Sequence, residues 1–202
     1  MPSLFASSEL FDLIEKVEKG ERLDHDAGVR MMNSNDILAL GTMANIVRER
    51  KNGNRTYFNV IQPINESNVK DATMLYGDKE STEERIAHLL QLREQQDQTG
   101  GFQSFLPLAY YPKESKLEGT MGIGTTTGLE DLKVLAISRI LLDNFDHIKA
   151  YWIILGLKLT QVSLAFGVDE LEGNGVTKTA MIRVIEKAGR DAVERDGLGG
   201  ST

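Results

Sequence analysis

The sequence predicts an α/β fold in which strand-helix units build a parallel sheet behind an N-terminal helical cap. Three observations predict it. From residue 55 onward, short apolar or β-branched runs alternate with amphipathic helical runs, the rhythm of parallel βαβ connections. Residues 1–54 carry helical periodicity alone. The 202 residues, 41% apolar and 26% charged, have the length and profile of one globular domain. We therefore expect a single domain over 1–202, divided into a cap (1–54), strand-helix units (55–167) and a C-terminal loop and helix (168–202).

In the cap, Leu10, Leu13, Ile14 and Val17 share one face of a helix over Glu9 to Lys19. A short helix starts near Asp24, and Asp36 caps a third that carries Ile37, Leu40, Met43 and Val47. TYFNVIQPIN then reads as a strand that Pro63 ends, because proline cannot donate to a ladder.

The first unit is the strand DATMLYG followed by a helix opened by a Ser81/Glu84 capping box and stopped at Gly100 and Gly101. The second is FQSFLPLAYY, a Gly- and Thr-rich loop over Glu118 to Gly128, and an apolar helix from Leu129 to Phe145. The third is KAYWIILG, read as a buried parallel strand, followed by a short helix from Leu159 to Phe166. A loop rich in Gly, Asp and Glu leads to a last helix over Thr177 to Ala188 and a flexible tail.

Four strands are half of a closed (β/α)8 barrel, so the expected architecture is a partial, half TIM-type barrel of about four parallel strands. Such a sheet has two open edges. Either helices cover them or two chains pair, and a homodimer through the sheet edges is the expectation.

Composition excludes several classes of function. A net charge of −7 has the wrong sign for gripping nucleic acid through its phosphates. The basic cluster Arg48, Arg50, Lys51 and Arg55, interrupted by Glu49, reads as a solvated helix end. No apolar run approaches the roughly 20 residues of a membrane helix. The opening MPSLFASSELFDLIEK has no basic region ahead of an apolar run, so a cytoplasmic address is expected. With 0 cysteines, disulfides, thiolate nucleophiles, zinc-thiolate sites and cysteine-held clusters are all out of reach. His25, His88 and His147 show no ligand spacing, so no metal site is expected, and each reads as a surface or capping histidine.

Longer strings narrow this picture. GERLDHDAGVRMMNSNDILALGTMANIVRERKNGNRTYFN, DATMLYG, ERIAHLLQLREQQDQTGGFQSFLPLAYYP, TTGLEDLKVLAISRILLDNFDHIKAYWIILGLKLTQVSLAFGVDELEG and EKAGRDAVERD resemble aminofutalosine synthase, in that family's own order. That is a radical S-adenosylmethionine family of menaquinone biosynthesis. The related dehypoxanthine futalosine cyclase shares part of the pattern, but DNFDHIKAYWI and VERD look more like the synthase.

The departures bear on function. The resemblance implies that Ile64, Asn65 and Asn68 should lead into a Cys-x3-Cys-x2-Cys loop holding a 4Fe-4S cluster; here INESNVK runs directly into DATMLYG. The strands implied to bind S-adenosylmethionine are missing, and a second, shorter piece is missing after Gly173. Asp78 and Tyr111 stand where the family usually has histidine.

The resemblance therefore implies a cluster and S-adenosylmethionine for the family, whereas no cofactor is expected here. No catalytic residue is assigned. The candidates for binding a small molecule lie at strand ends: Asn65, Asn68, Tyr76, Asp78, Tyr110, Tyr111, Thr127 and Gly128, the last two opening a helix N-terminus that could receive an anion. Each has a plainer reading: turn asparagines, packed tyrosines and an ordinary N-cap. The expectation is a non-catalytic scaffold. Its rivals are a nucleoside-like ligand binder, a subunit docking on an intact barrel, and an enzyme of another class using Asp78 or Glu130 as base.

Overall fold

The computed structural model describes residues 5–59, 71–110 and 126–195. The cap is three helices, α1 (Phe11–Lys19), α2 (His25–Asn33) and α3 (Ile37–Asn52). Asp24 and Asp36 cap the second and third by accepting from the Ala27 and Ala39 amides at 2.9 and 3.0 Å. Helix α1 ends at Gly20, whose φ of 76° is a conformation that glycine adopts at least cost.

Strands β1 (Arg55–Asn59), β2 (Asp71–Tyr76), β3 (Ser104–Ala109), β4 (His147–Tyr151), β5 (Glu170–Glu172) and β6 (Asp191–Glu194) form one parallel sheet in the order β2-β3-β4-β5-β1-β6. Helices α4 (Thr82–Thr99), α5 (Gly128–Leu141), α6 (Trp152–Ser163) and α7 (Lys178–Lys187) alternate with the strands. The α/β class and the partial barrel hold, but the strand count needs correction from about four to six among the described residues. The two added strands are short and acidic. β5 lies in the segment read as a loop, and β6 in the segment read as a tail.

The third unit is also corrected. The strand stops at Tyr151, and Trp152 already begins α6, which breaks at Gly156 (φ 74°, ψ 151°) before continuing to Ser163. A continuous apolar run such as YWIIL fits a buried strand and a buried helix equally well.

Alternation divides the sheet into two faces. In β2, Ala72, Met74 and Tyr76 are buried toward the helices, while Thr73 and Leu75 are exposed on the inner face. Helix α5 fills the space behind the sheet, with Val134, Leu135, Ala136, Ile137 and Leu141 at 0 or 1% exposure.

Pro107 helps explain where β3 and β4 part. The Tyr110 amide donates to the Tyr76 carbonyl at 2.7 Å, so even-numbered residues of β3 face β2 and the imide nitrogen of Pro107 faces β4. The β3–β4 ladder ends at Phe105↔Ile148, two residues before it.

The basic cluster is a solvated helix end only in part: Arg50 and Arg55 are exposed, but Arg48 is not. Arg48 is fully buried and donates to the carbonyls of Val168 (2.9 Å), Gly53 (2.9 Å) and Arg55 (2.7 Å) and to Thr56 Oγ1 (2.9 Å), joining α3 to β1 and β5. Burial pushes its pKa down to about 10, and the Arg190 charge adds to the effect. Arg50 donates to the last carbonyls of α1, Val17 and Glu18, at 2.6 Å each.

Candidate functional site

Two polar clusters stand out among the described residues. The first lies on the inner face of the sheet. Lys149 on β4, 7% exposed, reaches Asp71 on β2 at 2.6 Å and Glu172 and Glu170 on β5 at 3.0 and 3.7 Å. Burial works against its charge, but Glu170, Glu172 and Asp71 outweigh it and hold the ammonium above the ordinary lysine value. Arg195 pairs with Glu170 at 2.9 Å and lies 5.3 Å over the Tyr57 ring. Burial pushes the Glu170 carboxyl up, opposed by Lys149 and Arg195.

Beside this cluster, His147 is bonded through Nδ1 to Asp169 at 2.6 Å and meets the Tyr57 ring edge-on at 5.0 Å. It is half-buried, contrary to the surface reading. Asp169 also accepts from the buried Arg139, from Asn52 (2.8 Å) and from the Ile148 amide (2.8 Å).

The second cluster lies where β2 ends against the N-termini of α4 and α5. Tyr76, 1% exposed, points toward the helices, and its hydroxyl donates to Asp131 at 2.8 Å. Burial and the Asp131 charge push that hydroxyl above its ordinary pKa. Burial also raises the Asp131 carboxyl, against hydrogen bonds from Tyr76 and Thr126. Next to them Arg85 pairs with Glu80 (2.6 Å) and Glu130 (3.0 Å). A cavity of about 410 Å³ opens here, lined in part by Met32, Arg85, Leu129, Glu130 and Lys133.

The predicted residues do not converge on one site. Tyr76, Thr127 and Gly128 come near the cavity, but Thr127 spends its hydroxyl capping α5 on the Glu130 amide (3.2 Å), and a Cβ on Gly128 would lie 3.4 Å from Leu159. Asp78 is exposed on a bend whose amide donates to Glu80 (3.1 Å), and Tyr110 is half-buried after β3. Asn65, Asn68 and Tyr111 lie outside the described residues. Glu130, offered as a base, is paired with Arg85. The inner-face lysine cluster was missed, because its members are scattered over β2, β4 and β5 and each reads singly as surface charge; the Lys149 position inside an apolar strand was the available signal.

Known proteins resemble this chain in sequence and in fold. A family model described as the CofH/MqnC C-terminal region matches residues 99–193. The aminodeoxyfutalosine synthase of Thermus thermophilus is 46% identical over 145 residues, covering 63% of this chain and 39% of that protein. Over that stretch the chain is similar to aminodeoxyfutalosine synthase. A 5-amino-6-(D-ribitylamino)uracil–L-tyrosine 4-hydroxyphenyl transferase of Methanosarcina mazei is 48% identical over 106 residues, covering 50% of this chain and 28% of that one. The chain thus spans well under half the length of these curated relatives. The fold likeness extends to the FeFe-hydrogenase maturase HydG from Carboxydothermus hydrogenoformans, with a TM-score of 0.69 at 9% identity, covering 93% of this chain and 80% of that one.

The residues present do not fit the cluster that the resemblance implies. The chain has no cysteine, and among the described residues no three His, Asp or Glu side chains gather as a metal-ligand set.

Proposed function

We propose that this aminofutalosine synthase-like chain, related by sequence to enzymes of menaquinone biosynthesis, is a non-catalytic scaffold. The observation that carries the reading is that the polar groups on its inner face are bound to one another, while the chain lacks the thiolates that parental chemistry needs. Lys149 faces three carboxylates, and Arg195 takes the second oxygen of Glu170, so a ligand would have to break internal pairs to enter.

The proposed partner is a second copy of the chain, pairing along a sheet edge. Calorimetric titration with S-adenosylmethionine tests the functional reading: it should give no binding heat, and saturable one-to-one binding would contradict it.

A second reading, in which a nucleoside-like ligand still binds, is favoured by the cavity between α4 and α5. Its volume of about 410 Å³ lies in the range of roughly 300–1,000 Å³ usual for small-molecule sites, and Arg85 and Lys133 line it beside Leu129. A thermal-shift series with free nucleosides separates the two. Stabilisation that Lys133→Ala abolishes would replace the scaffold reading with this one.

A further inference from the structure

Consecutive parallel strands joined by a crossover usually lie side by side. β1 does not follow that rule: the next strand among the described residues, β2, stands four places away across the sheet. The position next to β1 is taken by β6, from the far end of the described chain, in parallel register over Arg55↔Asp191, Thr56↔Ala192, Tyr57↔Val193 and Phe58↔Glu194. We infer that residues 191–195 act as a strap, a substitute strand that closes the β1 edge which chain order leaves open.

The backbone carries the register. The Asp191 amide donates to the Asn54 carbonyl and the Arg195 amide to the Phe58 carbonyl, each at 3.0 Å, whereas the Tyr57 amide donates the other way, to Asp169 of the segment entering β5, at 2.8 Å. Residues of a strand turn alternately to its two neighbours, so Thr56 and Phe58 face β6 while Tyr57 faces β5.

Side chains fix the strap at both ends. Arg190, just before it, reaches Glu49 of α3 at 3.1 Å and Asn54 at 3.2 Å. Arg195, at its end, passes over the Tyr57 ring to Glu170 of β5, two strands away. Lys178 of α7 pairs with Glu194, tying the preceding helix to the strand. A slip of one residue would turn Arg195 to the helix side and remove its pair with Glu170.

Residue-resolved hydrogen exchange tests the strap. In the unmodified chain the Thr56 and Phe58 amides should be protected as Tyr57 is. In Val193→Pro, which removes a ladder donor, Thr56 and Phe58 should lose protection while Tyr57 keeps it. Continued protection of Thr56 and Phe58 in the variant would overturn the inference. Should Val193→Pro not fold, the unmodified chain decides: protection of Thr56 and Phe58 equal to that of Tyr57 supports the strap, and exchange at the rate of an open edge overturns it.

Discussion

Asp169 has no exposure to solvent and serves four partners at once: Arg139, His147, Asn52 and the Ile148 amide. Burial alone would push its carboxyl up; Arg139 and the bonds from His147 and Ile148 more than offset that, so its pKa lies below the usual value. Asp169→Asn leaves the Arg139 charge buried without its counterion. It should cost about 3–5 kcal/mol in denaturant unfolding. Because the folded pKa is lower than the unfolded one, the stability from Asp169 is complete above the ordinary carboxylate value and is lost as pH falls through the lowered one. The variant should therefore show a shallower acid limb in a plot of stability against pH. None of this was legible in the sequence: Arg48 read as part of a solvated helix end and His147 as a surface or capping histidine, since a charge is buried only when distant residues supply partners.

At the scale of elements, what is local was legible. Ser81 and Glu84 form the expected capping box, and Thr127 and Thr177 cap α5 and α7, because a cap is decided within four residues of chain. Helix α6 was misplaced because its first turn is apolar on all sides, and β5 and β6 were missed because they are three and four residues long and their acidic side chains find partners only in the fold, Lys149 and Arg195 for β5 and Lys178 of α7 for Glu194. Gly156 makes the break in α6. Its φ of 74° with ψ of 151° is a backbone conformation essentially reserved for glycine, and a Cβ there would meet nothing within 4 Å. Gly156→Ala should therefore cost about 1–3 kcal/mol through backbone strain alone. A thermal melt checks this, and an unchanged midpoint would mean that α6 can run straight through from Trp152.

Across the whole molecule, two edges of the sheet differ. β6 is short and bears Asp191 and Glu194, the usual means of discouraging further pairing. β2 is six residues long and leaves Leu75 59% exposed on the inner face. If a second copy pairs along β2, light scattering should return a dimer mass, and Leu75→Lys should shift it to the monomer; a monomeric parent chain would remove that partner. The central claim concerns chemistry, and anaerobic reconstitution with iron and sulfide tests it most directly, by iron content per chain after desalting. The scaffold account predicts that no iron is retained and that no visible cluster absorption appears. Stoichiometric iron with a cluster spectrum would contradict it.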